Sequence, residues 1–305
     1  MFLFLENRPI SSYFCSTNNK SMLTINPKEI TTAKLHSYLL GAVAPRPIAF
    51  ASTIDKEGNM NLSPFSFFNV FSAHPPIAIF SPARRGRDNT TKHTFENVKE
   101  ISEVVINMVN YAMVQQTSLS STEYPKGINE FTKAGFTPIP STLIKPFRVK
   151  ESPVQLECKV INIIELGQNA GAGNLVICEV LLMHIDENIL DANGNIDPQK
   201  IDLVARMGGD WYSRASGDSL FTVPKPLSTI GIGVDGIPEK IRKSKYLNGN
   251  DLGMLGNVEK LPTPEEIVEY KKSNPIVSED KTHQLAHQLL ESSKIQDAWK
   301  TLLSI

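Results

Sequence analysis

Two long runs of strand-forming residues constrain the fold of this chain more than any other feature. They read VQLECKVINIIEL from Val154 and GNLVICEVLLMHID from Gly173, with the turn residues GQNAGA between them. β-Branched and other apolar residues dominate the runs, and small turn residues dominate the connection. The pair predicts a long antiparallel hairpin, because parallel strands would need a crossover of a dozen or more residues.

Shorter strand patterns precede this hairpin. RPIAFASTI from Arg46 ends in the turn residues DKEGN, prolines bracket PPIAIFSP, and EVVINMV follows from Glu103. Helices are predicted at TKHTFENVKE, with Thr91 as its N-cap, and at AMVQQTSLSS. Strands that pair through hairpins, with few helices between them, predict a mainly β fold with flanking helices. They favour a closed antiparallel barrel over a doubly wound sheet.

The character of the chain changes after about Phe221. Residues rich in Gly, Pro and Asn predict ordered coil, and two helices follow, one in TPEEIVEYKKS and one in EDKTHQLAHQLLESSKIQDAWKTLLSI. The N-terminal residues lack the basic start of a signal peptide and predict a disordered or weakly docked tail. We therefore divide the chain into a tail (1–21), a β domain (22–215) and a C-terminal coil and helical extension (216–305).

Composition excludes several function classes. The net charge of −1 gives no basic footprint for nucleic acid. The longest apolar runs are too short and interrupted to span a bilayer, so no membrane association is expected. Three cysteines without CxxC spacing argue against a disulfide framework and favour a reducing cytoplasm.

Three motifs carry little weight in their context. GIGVDG at Gly231–Gly236 fits a dinucleotide pattern but lacks the strand–turn–helix frame that gives it meaning. His283 and His287 are spaced to share a metal, yet no third ligand is evident, so a solvated helix face is the favoured interpretation and no metal is expected. A nucleophile elbow is absent from the sequence, which leaves serine-hydrolase chemistry without support.

An uncharged aromatic stretch, NLSPFSFFNVFSAHPP, spans Asn61–Pro76. Its prolines predict a backbone kept out of a sheet ladder, and its serines and asparagines add polar partners. Apolar walls and uncommitted backbone amides are what a flat heteroaromatic ring needs.

A basic stretch, SPARRGRDNTTKHTFEN, follows from Ser81. Arginines, a lysine and threonines lie together at a predicted helix start, which suits a phosphate dianion. A solvated basic loop is the equally favoured alternative. A phosphate site that follows an aromatic-walled slot suggests a mononucleotide with a large ring, and FMN fits that description.

Two segments carry a resemblance to a known family. APRPIAFASTIDKEGNMNLSPFSFFN, at Ala44–Asn69, resembles the signature of the flavin reductase-like, FMN-binding split-barrel family, and ARMGGDWYSR, at Ala205–Arg214, resembles a segment that ends the barrel in many members. The resemblance implies an antiparallel six-stranded split β-barrel that forms a homodimer with FMN near the interface. Without a partner, Phe67, Phe68 and Phe71 would face water.

The resemblance also implies a set of cofactor-binding residues. Ser52 and Thr53 would approach the phosphate and ribityl chain, and Ser63–Asn69 would line the ring. Where the family commonly has Lys-Asp-Thr, this chain has Lys92, His93 and Thr94, so the phosphate is expected to be held more loosely or in a pH-sensitive way. The full predicted set is Arg46, Ser52, Thr53, Ser63, Pro64, Ser66, Phe67, Phe68, Asn69, Arg84 or a neighbouring arginine, Lys92 and Thr94.

The implied function is that of an FMN flavoprotein oxidoreductase that takes hydride from NADH or NADPH. Its electrons would pass to free flavin, a partner monooxygenase or another acceptor. No catalytic residue is assigned, since the flavin carries the chemistry, although Arg206 could favour negative charge on a reduced flavin or simply pair with a carboxylate. Two alternatives stay open, a flavoredoxin-like electron carrier without a nicotinamide site and a split-barrel binding module without a cofactor.

Overall fold

The computed structural model describes residues 22–275 and 278–305. The predicted N-terminal tail and Cys15 lie outside this part of the chain. One compact unit spans Leu23–Phe221, and a second contains Thr222–Ile305. The division predicted at residues 215 and 216 stays a prediction.

A seven-stranded antiparallel sheet forms the body of the first unit. Its strands are β1 (Ala49–Ile54), β2 (Met60–Phe65), β3 (Phe68–Ala73), β4 (Pro76–Phe80), β5 (Glu103–Asn107), β8 (Val154–Glu165) and β9 (Asn174–Ile185). Their order across the sheet is β2-β1-β5-β8-β9-β4-β3. Two small sheets pair β6 (Pro138–Ile139) with β7 (Arg148–Val149), and β10 (Val204–Arg206) with β11 (Tyr212–Arg214).

The mainly β class with flanking helices is confirmed, but the number of strands and the closure of the sheet are corrected. The aromatic stretch that was expected to stay outside the ladder forms β2 and β3. Pro64 is tolerated there because β2 lies at the edge of the sheet, where no second neighbour requires its missing N–H. Within residues 22–275 and 278–305, no ladder joins β2 to β3, so the sheet is open.

Helices flank this sheet. Those of the first unit are α1 (Thr32–Ala42), α2 (His93–Glu100), α3 (Val114–Leu119), α4 (Glu130–Ala134) and α5 (Pro198–Ile201), with single 3-10 turns at Tyr111–Met113, Glu187–Ile189 and Gly217–Ser219. The predicted N-cap of α2 is wrong by one residue: Lys92 occupies that position, and the hydroxyl of Thr91 donates to Glu96 instead. The helix therefore starts directly after Lys92.

The core of the first unit lies between α2 and the sheet. Phe95 and Val98 of α2 are buried against β1 and its neighbours, together with Phe80, Ile106 and Val176. Phe68 also packs against this core rather than facing water, which corrects its expected exposure. A second cluster contains Phe50, Leu62 and Phe131. These contacts fix β2 and the start of α2, between which the candidate site lies.

The unit that contains Thr222–Ile305 is helical. The helices here are α6 (Glu239–Arg242), α7 (Gly249–Gly256), α8 (Pro264–Ser273), α9 (Glu279–Glu291) and α10 (Ile295–Leu302), where the sequence predicted only two. The last predicted helix forms two helices, α9 and α10, because Ser293 has a left-handed φ of 58° that an α-helix cannot accommodate. Trp299 is fully buried and donates from Nε1 to the carbonyl oxygen of Leu255 at 3.1 Å.

The interpretation of His283 and His287 as a solvated helix face is also wrong. His283 is buried, and its Nδ1 lies 2.7 Å from Oγ of Ser244. Nδ1 of His287 lies 2.9 Å from a carboxylate oxygen of the buried Asp251. The two imidazoles therefore stabilise the packing of α9. Over residues 22–275 and 278–305, no helix is both long and apolar enough to span a membrane.

Candidate functional site

A cavity of about 400 Å³ opens between the end of β2 and the segment that follows β4. One wall is the aromatic stretch, and the other is the basic stretch, so the two sequence features meet. The lining residues are His36, Leu40, Ser63, Pro64, Phe65, Ser66, Phe67, Ser81, Ala83, Arg84, Arg85, Gly86, Arg87, Lys92, Ser121 and Glu123.

The basic wall converges on one carboxylate, that of Glu123. Nε of Arg85 lies 2.9 Å from Oε1 of Glu123, and Nη2 of Arg87 lies 2.6 Å from Oε2. Nζ of Lys92 lies 3.5 Å from Oε1. Burial raises the pKa of Glu123, but hydrogen bonds from both arginines and the charge of Lys92 outweigh it, and the pKa is lowered overall. The three cations are therefore arranged to hold an oxyanion.

Arg84 has a different role from these three cations. Its Nε and Nη2 donate to the side chain and the carbonyl oxygen of Asn89, at 2.8 and 2.6 Å. Its backbone N–H also donates to Ala172 at 2.8 Å. Arg84 therefore stabilises the loop that presents Arg85 and Arg87, although it also lines the cavity.

Thr94 lies at the start of α2, beside Lys92. Its hydroxyl donates to Oδ1 of Asn61 at 2.7 Å, and both residues line a small polar cleft next to the main cavity. Nδ2 of Asn97 donates to Oγ1 of Thr53 at 3.1 Å. This buried network ties α2 to β1 and β2 and so fixes the position of Lys92.

Ser52 and Thr53 lie in β1 and are fully buried. Oγ of Ser52 has no hydrogen-bond partner among the described residues. The walls of the main cavity do not include either residue. Their contacts with the phosphate and ribityl chain stay predictions.

The aromatic wall is formed by part of the predicted ring site. Ser63, Pro64, Ser66 and Phe67 line the cavity. The ring of His36 meets that of Phe67 edge-on, with centroids 6.1 Å apart. The structure therefore gathers four of the predicted ring contacts on one surface.

Phe68 and Asn69 are directed elsewhere. Phe68 packs on the core, and the side chain of Asn69 accepts from the N–H of Val70 at 2.8 Å. Alternation accounts for Phe68, since successive side chains of a strand point to opposite faces and Phe67 lies in the cavity wall. It does not account for Asn69, whose side chain is held by the neighbouring backbone instead.

Arg46 is buried and bonded to the protein itself. Its guanidinium donates to the carbonyl oxygens of Leu40, Val43 and Met207, and its Nε lies 3.4 Å from Oγ of Ser66. Burial, followed by the nearby charge of Arg206, lowers its pKa. Arg46 is thus a structural support behind the aromatic wall, and its predicted contact with the cofactor stays a prediction.

His93 replaces the aspartate that the family commonly has beside the lysine. Burial lowers its pKa, and the charges of Arg85, Lys126 and Lys92 lower it further. A neutral imidazole does not anchor Lys92, and Glu123 does so instead. The acidic partner of Lys92, which the sequence was expected to lack, is therefore supplied by Glu123 in the segment between α3 and α4.

Arg206 lies in a different cavity, of about 380 Å³, with Tyr111, Tyr212 and Arg214. Its guanidinium stacks 4.5 Å from the ring centroid of Tyr212 and donates to Gly209 at 2.8 Å. The structure therefore does not bring Arg206 into the aromatic and basic cavity. Its action on a reduced flavin stays a prediction.

Sequence reasoning missed four lining residues, His36, Leu40, Ser121 and Glu123. His36 and Leu40 come from α1, whose apolar and basic residues lack any ligand signature. Glu123 lies 38 residues from Arg85, in a polar segment that reads as an ordinary loop. Only the fold brings these residues to the cavity.

Comparisons with known proteins identify this architecture. Nitrilotriacetate monooxygenase component B from Bacillus cereus superposes with a TM-score of 0.62 and 31% identity, over 67% of this chain and 99% of that chain. A protein with a split barrel domain from Shewanella frigidimarina superposes with a TM-score of 0.55 and 29% identity, over 65% of this chain and 95% of that chain. The first unit is thus related to the split-barrel proteins.

Sequence comparison gives the family. The flavin reductase like domain matches residues 41–199. An uncharacterized protein of Aquifex aeolicus is 38% identical over 191 residues, which are 63% of this chain and 95% of that protein. The chain belongs to the flavin reductase like domain family, and the resemblance seen in its sequence is confirmed.

Proposed function

We propose that this protein is an FMN-binding oxidoreductase, an NAD(P)H-dependent flavin reductase. One observation carries the proposal: Arg85, Arg87 and Lys92 converge on an oxyanion at one wall of a cavity whose opposite wall is Ser63–Phe67. Its volume of about 400 Å³ lies within the range usual for sites of small molecules and cofactors.

The basic wall fits a phosphate because it already holds a carboxylate. Guanidinium groups match planar and tetrahedral oxyanions through paired N–H donors, and an ammonium adds a point charge. Arg85, Arg87 and Lys92 would hold the phosphate, with Arg84 and Asn89 fixing the loop beneath them. Thr94 would act through the network that positions Lys92.

The aromatic wall fits the ring. Phe67 offers a flat apolar surface, and the hydroxyls of Ser63 and Ser66 offer donors and acceptors for ring heteroatoms. When bound, the flavin supplies the redox chemistry by accepting hydride at N5. The residues of this chain position the ring and limit the access of water to it.

The electron donor and acceptor rest on relatives and on the family resemblance. NADH or NADPH is proposed as the donor. The similarity to a monooxygenase component in Bacillus cereus supports passage of electrons to a partner oxygenase or to free flavin. A flavoredoxin-like carrier, reduced by another protein, is the second candidate.

A homodimer is proposed as the functional assembly. Phe71 in the edge strand β3 is 65% exposed, and Val70 beside it is 59% exposed. A second copy that covers this edge would bury both side chains and an open strand edge.

Absorbance and titration test the proposed function. The purified protein should quench the fluorescence of added FMN, and the visible absorbance of the bound flavin should bleach on anaerobic addition of NADH or NADPH. Bleaching by dithionite alone would favour the carrier. A protein that does not quench the fluorescence of FMN would contradict every flavin-based function.

A further inference from the structure

We propose that Glu123 is an internal counter-ion that competes with the flavin phosphate for Arg85, Arg87 and Lys92, and so makes the bound flavin easier to release. This inference rests on the proposed function of the same cavity. It assigns a role to a residue that the sequence did not indicate, and it favours an exchangeable flavin over a permanently bound one.

The competition follows from shared donors. Oε1 of Glu123 accepts from Nε of Arg85 and lies near Nζ of Lys92, while Oε2 accepts from Nη2 of Arg87. Each N–H makes one strong hydrogen bond at a time. A phosphate that accepts from these N–H groups must therefore displace the carboxylate of Glu123. The hydrogen bonds gained by the phosphate are offset by the loss of the two that Arg85 and Arg87 donate to Glu123.

The exposure of Glu123 makes its release inexpensive. Its side chain is 36% exposed and lies between α3 and α4, so the freed carboxylate would be hydrated. Glu157 gives the contrast within the same unit. Its carboxylate is fully buried and accepts from the N–H groups of Thr142 and Leu143 at 2.7 Å each, an arrangement that suits a permanent structural anchor.

The local charge balance supports the same role. Four cations (Arg84, Arg85, Arg87 and Lys92) lie in the basic segment. Glu123 pairs with Arg85, Arg87 and Lys92, Asp88 pairs with Arg87, and Arg84 is bonded to Asn89. Removing the charge of Glu123 would leave the cations repelling one another until a phosphate dianion binds. The cavity of a protein without this charge would therefore bind phosphate more tightly than the wild-type cavity does.

The substitution Glu123→Gln tests this role, since it removes the charge and keeps the shape. Dissociation constants for FMN and riboflavin are measured by flavin fluorescence quenching at one salt concentration. FMN should bind about threefold to thirtyfold more tightly to the variant, and riboflavin should change by less than about twofold. Glu187→Gln, at an exposed acid in a 3-10 turn outside the cavity walls, is the control for net charge and should match wild type.

Weaker or unchanged FMN binding by Glu123→Gln would overturn the inference, because Glu123 would then orient the cations rather than compete with the phosphate. Inorganic phosphate separates this failure from failure of the proposed function. Thermal-shift titration should show that phosphate stabilises Glu123→Gln more than wild type, even if neither protein binds flavin. Equal stabilisation of the two proteins would overturn the counter-ion role.

Discussion

Nη2 of Arg46 donates a hydrogen bond of 2.8 Å to the carbonyl oxygen of Met207, 161 residues further along the chain. The same guanidinium donates to Leu40 and Val43 at the end of α1. One buried side chain thereby joins the first helix, the start of the sheet and the segment that follows β10. These links support Ser66 and Leu40 in the cavity wall.

Replacing Arg46 should therefore cost stability. Arg46→Met leaves three carbonyl oxygens without this donor, and we expect the free energy of unfolding to fall by about 2–4 kcal/mol. Urea unfolding followed by circular dichroism measures the change. Arg242→Met, at an exposed arginine of α6, is the control. A loss below about 0.5 kcal/mol would show that Arg46 does not hold these segments together.

The protonation of His283 should make stability depend on pH. The pKa of His283 is lowered, mainly by burial. The negative charges of Glu279 and Asp280 raise it, and the positive charge of Lys240 lowers it, but burial is the largest effect. Nε2 is buried without a hydrogen-bond partner in the described residues. The unfolded chain therefore takes up a proton that the folded chain resists, and stability should fall as the pH drops below about 6.5.

His283→Gln isolates this contribution. The urea midpoint of wild type, followed by tryptophan fluorescence, should fall more between pH 7.5 and pH 5.5 than that of the variant. His74→Gln, at an exposed histidine, should keep the wild-type dependence. The same dependence in wild type and His283→Gln would remove His283 as its source.

Strands with a regular apolar pattern could be predicted from the sequence. β8, β9, β1 and the turn that follows β1 could be predicted from β-branched residues and from turn residues such as Gly58, whose φ is +86°. β2 and β3 were not predicted as ladder strands, because proline and serine argue against a strand unless it lies at an edge. Edge position is a property of the sheet and is not visible in the local sequence.

Part of the candidate site could likewise be predicted from the sequence, and part could not. Its local parts, the aromatic stretch and the basic stretch, could be predicted because each is continuous in sequence. Glu123 could not, since its contacts with Arg85 and Arg87 depend on the path of the chain through α3. The burial of Arg46 likewise depends on the distant segment at Met207.

Phe71 tests the proposed dimer. The substitution Phe71→Glu places a charge on the exposed edge strand β3, and we expect the dimer dissociation constant to rise about tenfold or more. Sedimentation velocity over a range of micromolar concentrations measures it. Leu143→Glu, at an exposed leucine in a loop outside the main sheet, should leave the dimer intact. A flavin-loaded wild-type monomer at these concentrations would contradict the proposal.

The buried thiols should be unreactive. Burial, with a further contribution from the charge of Glu157, raises the pKa of Cys158 to about 12, and burial also raises that of Cys178. In a Cys15→Ser variant in native buffer, neither thiol should react with Ellman's reagent in the time that free cysteine under the same conditions needs to react fully. Both should react in guanidinium chloride. Rapid reaction of the native variant would show that this core opens.

Lys92 tests the central claim, that the basic wall holds the phosphate of FMN. Lys92→Ala removes one charge-assisted contact, and FMN affinity should fall about tenfold to a hundredfold. Riboflavin, which has no phosphate, should lose less than about twofold. Lys99→Ala, which removes a lysine in the last turn of the same helix, is the matched control and should change neither ligand.

Fluorescence quenching of FMN and riboflavin, with wild type, Lys92→Ala and Lys99→Ala at one salt concentration, is the most direct measurement. A selective loss of FMN affinity in Lys92→Ala is the predicted result. Equal weakening of both ligands, or no change for either, would contradict a phosphate site at Lys92.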